Sequence, residues 1–243
     1  MTPGDVSETG GVRPSRVLAV ALLGALTACG SSSGATGTQA GTPTAITTGY
    51  HGVEPRPAPS RPEFVLTDTT GKRYDFQAET KGRPTFVYFG YTHCPDECPT
   101  AMADVAAALR KVSPELRARA RVVFVTTDPE RDTAPVLRRW LDQFSTGFVG
   151  LLGTQAELDE AQRAAGIQPA YPEGPVPTIA GHPDQHVHKP GTAPHEHFGP
   201  LGYSVAHSAV IFAYDAADRL PVVYPGGVTP SDIAADLPVL NKS

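Results

Sequence analysis

The chain has 243 residues, with 20 Lys and Arg against 25 Asp and Glu, a net charge of −5. No basic stripe runs along it, which argues against nucleic acid as a partner. An acidic balance also gives no electrostatic attraction to an anionic lipid surface.

The first signals lie at the N-terminus. Arg13 and Arg16 precede the apolar stretch Val17 to Leu26, ten residues that are too few to span a bilayer as a helix. Leu26-Thr27-Ala28-Cys29-Gly30 follows and resembles the lipobox of bacterial lipoproteins. That resemblance implies a signal peptide over residues 1–28, lipidation of Cys29, and a protein anchored on the extracytoplasmic face of the cell membrane. Removing residues 1–28 takes two charges of each sign and leaves the net charge at −5. Three cysteines are an odd number for an exported chain. With Cys29 lipidated, Cys94 and Cys98 remain as a pair, which outside the cytosol needs a dedicated reductant or a metal. Ser31 to Gly49 carries no charge, and Pro55, Pro57, Pro59 and Pro62 follow. Residues 29–61 thus read as a tether, flexible and then stiffer, with a reach of about 30 Å.

From residue 62 to 243 the pattern is that of one domain, large enough to fold without a disulfide. Phe64 to Leu66 and Tyr74 to Phe76 flank a turn containing Gly71 and predict a hairpin. Thr85 to Phe89 reads as a buried strand. Pro99 suits the first turn of a helix, and Met102, Val105, Leu109 and Val112 recur at helical spacing. Arg121 to Thr127 reads as the next strand, and Val136, Leu137, Trp140, Leu141 and Phe144 as the apolar face of a second helix. Thr154 and Glu157 form a capping box for a third helix that ends near Gly166. Val205 to Tyr214 and Leu220 to Tyr224 read as an antiparallel pair, and Thr229, Pro230 and Asp232 open a C-terminal helix. This order predicts an α/β, thioredoxin-like fold: a central mixed sheet flanked by helices, with an N-terminal β-hairpin and a histidine-rich insertion.

The chemistry concentrates in Gly90-Tyr91-Thr92-His93-Cys94-Pro95-Asp96-Glu97-Cys98-Pro99. Two thiols four apart at a strand-to-helix corner meet backbone N–H groups and a helix dipole that favour thiolate. Asp96 and Glu97 oppose that effect. Such a pair can bind a soft metal, trade electrons as a disulfide, or merely staple a short loop. With Pro99 as the first helical residue, Cys98 is expected at the N-cap. His207 stands where the chain enters a buried strand. A histidine there is a core residue by default, yet in a thioredoxin fold this entry packs against the cysteine corner. Two thiolates and an imidazole suit Cu(I), whereas structural zinc wants a fourth ligand. Asp128 either supports the thiols or closes a turn, and Asp132 or Thr133 is expected to cap a helix. His182, His186, His188, His195 and His197 fall among prolines, read as a mobile insertion, and could bind a metal weakly. His93 is expected to point away from its neighbour Cys94.

The run Tyr88 to Pro99, the block Asp128-Pro129-Glu130-Arg131-Asp132-Thr133, and His207-Ser208 together resemble the Sco (SenC) family of thioredoxin-like copper proteins. The resemblance implies copper ligation by Cys94, Cys98 and His207. It implies a monomeric metallochaperone for the binuclear copper centre of cytochrome c oxidase, with oxidase subunit II and other copper chaperones as partners. It also leaves open a thiol-disulfide oxidoreductase that keeps target cysteines reduced, in which Cys94 and Cys98 would be the redox pair. Two features depart from the family pattern: Ala206 stands where an aspartate often precedes the histidine, and the histidine-rich insertion is not general. A metal needs His207 and disulfide exchange does not, so the two readings separate at that residue.

Overall fold

The computed structural model describes residues 49–173 and 203–242. The expected signal peptide, Cys29 and the histidines from His182 to His197 lie outside the described residues. The strands are β1 (Val65–Asp68), β2 (Arg73–Asp75), β3 (Thr85–Gly90), β4 (Arg121–Thr126), β5 (Val149–Leu152), β6 (Tyr171–Glu173), β7 (Ser204–Ala206), β8 (Ile211–Tyr214) and β9 (Val222–Tyr224). The helices are α1 (Phe76–Thr80), α2 (Glu97–Lys111), α3 (Pro114–Arg119), α4 (Ala134–Leu141), α5 (Gln155–Ala164) and α6 (Pro230–Leu240).

Seven strands form one mixed sheet in the order β2-β1-β5-β4-β3-β8-β9. Its centre, β3 to β4 to β5, is parallel; β1, β2, β8 and β9 join it antiparallel. Every residue of β3 is buried, because helices cover both faces of the sheet. The alternation along β3 divides the core. Phe86 and Tyr88 face a cluster with Met102, Val105, Leu137, Ile233 and Leu237, from α2, α4 and α6. Val87 and Phe89 face Phe76, Leu151 and Leu158, on the side of α1 and α5. No helix among the described residues is long and apolar enough to cross a membrane.

Several expectations are corrected. The strand expected from Val205 to Tyr214 is broken: β7 leaves the main sheet to pair with β6, and residues 207–210 connect it to β8. Tyr171 pairs with Ala206 and Glu173 with Ser204. The helix α2 begins at Glu97, two residues before Pro99. The Asp96 side chain accepts from the Glu97 N–H at 2.7 Å and is the cap. Proline is tolerated at the third helical position because a first-turn N–H has no partner within the helix in any case. Cys98 is therefore the second helical residue, not the N-cap. Finally, the tether expected over residues 29–61 ends sooner. Val53 bridges Val223 and Ser60 bridges Arg219. Arg61, 2% exposed, donates to Asp218, Thr80 and the carbonyls of Arg83 and Asp215.

Candidate metal centre

The sheet places three segments at the C-terminal end of β3. Gly90 closes the strand, Tyr91 to Asp96 forms the loop carrying Cys94, and the first turn of α2 carries Cys98. The connection after β7 brings His207 to the same corner from more than a hundred residues away. The Cys98 N–H donates to Cys94 Sγ at 3.4 Å, and Cys98 Sγ lies 3.6 Å from His207 Nε2. The two sulfurs and one imidazole nitrogen all lie within 4.8 Å of one another. Both cysteines are free thiols and buried, Cys98 completely.

Gly90 has a local reason to be glycine. A Cβ there would sit 2.7 Å from Cys98 Sγ and 2.7 Å from the Tyr88 ring. The absent side chain lets the Cys98 sulfur rest against the end of the strand. His207 is held edge-on between two rings, Tyr88 with centroids at 6.0 Å and Tyr91 at 5.6 Å. Its Nδ1 is buried with no hydrogen-bond partner among the described residues. Its other nitrogen faces the sulfurs, as a ligand's would.

The two thiols are electrostatically unequal. Cys94 is lowered to about 4, chiefly by the hydrogen bond from the Cys98 thiol, with further help from His207 and from the N–H groups of Cys98 and Asp96. Cys98 is pushed well above its ordinary value, first by burial and then by the neighbouring Cys94 thiolate. At neutral pH the pair thus holds one thiolate and one thiol, a coupled titration in which the second proton is hard to remove. A soft cation placed between the sulfurs reverses that penalty by replacing the proton.

Asp128 makes no hydrogen bond to Cys94, Cys98 or His207. It is buried, ion-paired with Arg131, and accepts from the Tyr203 hydroxyl at 2.8 Å. Arg131 lies 5.4 Å from the centroid of the Tyr91 ring, which in turn contacts His207. Asp128 therefore reaches His207 only through Arg131 and Tyr91, three contacts away. Asp132 is not a helix cap. Its carboxylate accepts from the Thr126 and Thr92 hydroxyls at 2.7 and 2.6 Å and from the Thr92 N–H, tying the cysteine loop to the end of β4. Thr133 occupies the N-cap position of α4 without a side-chain hydrogen bond. His93 does point away from the thiols: its Nδ1 is 3.1 Å from Thr92 Oγ1 and 3.9 Å from Asp132. His93, Asp128 and Asp132 are close enough to suggest a second metal cluster. The Arg131 guanidinium already supplies the cation there.

Sequence reasoning found the three converging donors but not their scaffold. Gly90, Tyr91, Thr92 and Arg131 carry no chemistry of their own, and only a glycine ending a fully apolar strand hinted at a close approach.

A profile of the SCO1/SenC family matches residues 53–180, more than half of the 243 residues. The chain belongs to the SCO1/SenC family. The match includes Cys94, Cys98 and Asp128 and stops before His207, which the fold returns to the thiols. Two relatives are "Protein SCO1 homolog 1, mitochondrial" of Arabidopsis thaliana and "Protein SCO1 homolog, mitochondrial" of Homo sapiens. The first is 35% identical over 101 residues, 42% of this chain and 30% of the relative. The second is 34% identical over 117 residues, 46% of this chain and 36% of the relative. The aligned parts thus span about a third of these relatives. Among solved structures, Bradyrhizobium japonicum ScoI with copper bound is 30% identical, with a TM-score of 0.56, covering 74% of this chain and 99% of that one. The apo Sco1 protein of Thermus thermophilus is 25% identical, with a TM-score of 0.59, covering 80% and 99%. These SCO1/SenC neighbours share the thioredoxin-like arrangement of a mixed sheet between helices.

Proposed function

We propose that this SCO1/SenC protein is a membrane-tethered, extracytoplasmic copper chaperone that binds one Cu(I) as cargo and serves assembly of the binuclear copper centre of cytochrome c oxidase. The observation that carries this reading is the convergence of Cys94, Cys98 and His207 within 4.8 Å. Two soft sulfurs and an imidazole select Cu(I) over harder ions, and both sulfurs are buried. The likeness to ScoI with copper bound supports the metal. The sequence over residues 13–30 supports the lipid anchor at Cys29. Oxidase subunit II and other copper chaperones are the proposed partners, met by a monomer.

Release follows from the same geometry. A disulfide between Cys94 and Cys98 consumes both sulfur donors and leaves a lone imidazole, so copper occupancy and thiol oxidation exclude each other. The inequality of the thiols favours a second reading, a thiol-disulfide oxidoreductase. The Cys94 thiolate would attack a target disulfide, forming a mixed disulfide and releasing one target thiolate. Cys98, on losing its proton, would then resolve it and release the second. His207→Ala separates the readings. The chaperone reading predicts loss of tight Cu(I) binding, measured by competition with a chromophoric chelator, with dithiol oxidation largely intact. Undiminished affinity in that variant overturns the ligand assignment. Cys29→Ser tests the anchor: release from the membrane or retention of the precursor is expected, and unchanged processing and membrane retention contradict it.

A further inference from the structure

A cavity of about 270 Å³ opens beside the metal centre, between the first two turns of α2 and the connection from β9 to α6. Glu97, Thr100, Ala101 and Asp104 line one wall. Their spacing puts them on a single stripe of the helix. Asp96 extends that wall at the helix start. The opposite side is apolar, from Ile211, Tyr224 and Val228. No lysine or arginine lines the cavity, and among the described residues none of the three carboxylates has an ion-pair partner. Tyr88 also lines it, 1% exposed, its buried hydroxyl beside the Cys98 sulfur and without a nitrogen or oxygen partner among the described residues. A hydroxyl that donates to the sulfur keeps its oxygen lone pairs open to a donor supplied from outside. Gly226 and Gly227 form the rim of the connection, and Gly227 has φ +90°, a conformation open to glycine.

From this arrangement we infer that the cavity is a docking site for one long cationic side chain, arginine or lysine, carried by the protein that exchanges copper with this one. An apolar stem lies against Ile211, Val228 and the Tyr224 ring, while the charged head meets the carboxylates and donates to the Tyr88 hydroxyl. The volume is below that of pockets for whole small molecules, which suits a single side chain. Glu97 and Cys98 are consecutive, so a side chain seated here brings its own backbone to the thiol pair. The identity of the occupant as part of a copper partner rests on the chaperone reading; the binding of a cation does not.

The test is a titration of the full-length, reduced, metal-free chain with N-acetyl-arginine amide, followed by amide chemical shifts. N-acetyl-norleucine amide and N-acetyl-glutamate amide serve as comparators. Saturable shifts centred on Ala101, Ala209, Gly226 and Gly227 are expected for arginine, weakened by salt and at least tenfold weaker in Asp104→Lys. The absence of saturable shifts, equal binding of norleucine, or indifference to Asp104→Lys overturns the site. A second arm measures Cu(I) transfer to a soluble copper domain of oxidase subunit II. Asp104→Lys is expected to slow transfer tenfold or more at low salt while leaving Cu(I) affinity unchanged. A parent chain that binds arginine amide but not Cu(I) retires the chaperone reading alone. One that binds Cu(I) but not arginine amide retires the docking site alone.

Discussion

Replacing Gly90 by alanine probes the metal centre without touching a ligand. The new Cβ would meet Cys98 Sγ and the Tyr88 Cε1 at 2.7 Å each. Ordinary contact begins near 3.5 Å, so the sulfur or the strand must move by roughly 0.8 Å. Neither neighbour can yield easily, because Cys98 and Tyr88 are at most 1% exposed. Overpacking of this kind costs about 1–3 kcal/mol. For a domain of this size, about 2 kcal/mol lowers Tm by roughly 4–8 °C. Gly147→Ala is the matched control, since its nearest neighbour, Ser145 Oγ, would lie at 3.6 Å. Both substitutions reduce the freedom of the unfolded chain similarly, so the difference between them isolates the steric clash. Displacing Cys98 also disturbs its 3.6 Å approach to His207, and Cu(I) affinity is expected to fall about 10–100-fold, as it does when supporting groups of a metal site are disturbed. Thermal unfolding and chelator competition on the two variants give both quantities. A Gly90→Ala protein that matches the control in Tm and Cu(I) affinity would refute the placement of the Cys98 sulfur against the strand.

Three further outcomes are expected. Cys94, lowered to about 4, should react with iodoacetamide at a rate nearly flat between about pH 6 and 8, where an ordinary thiol gains almost tenfold per unit; mass mapping that finds Cys98 labelled first contradicts the assignment. His51 is raised by its 2.6 Å hydrogen bond to Asp236, so its stabilisation is complete below about pH 6.5 and fades as pH rises through the raised folded value. The gap in urea midpoint between the chain and His51→Ala should therefore narrow from pH 6 to about pH 9, and a gap that widens contradicts the pairing. Arg131→Met leaves Asp128 buried and uncompensated and should destabilise by about 3–5 kcal/mol in denaturant titrations; a loss under about 1 kcal/mol removes Arg131 as the link between Asp128 and Tyr91.

The central strands and the amphipathic helices were legible because a buried parallel strand shows as a short apolar run and a helix face as a period. The hairpin at Gly71, the capping box at Thr154 and the helix opening at Thr229 were legible from local turn and cap chemistry. Three kinds of feature were not. The strand Val149–Leu152 is four residues long with a glycine inside, so propensity gives it no voice, yet Leu137 and Leu141 of α4 fill the space beside Gly150. The break after Ala206 depends on β7 pairing with β6 across a long insertion, a tertiary choice with no local trace. The helix start moved two residues because the Asp96 carboxylate capped Glu97, overriding the usual avoidance of helix before proline. At the site, chemistry-bearing residue types revealed Cys94, Cys98 and His207. Asp132 looked like a cap in sequence because it precedes a helix, and only the fold shows Thr92 and Thr126 turned toward it.

The most direct test of the account is X-ray absorption at the copper edge on the full-length chain loaded with one equivalent of Cu(I). Ligation by two sulfurs and one imidazole nitrogen is predicted, with the nitrogen lost in His207→Ala and the sulfurs lost once Cys94 and Cys98 are oxidised. Sulfur ligation that survives oxidation of both cysteines, or a nitrogen shell unchanged in His207→Ala, would contradict it.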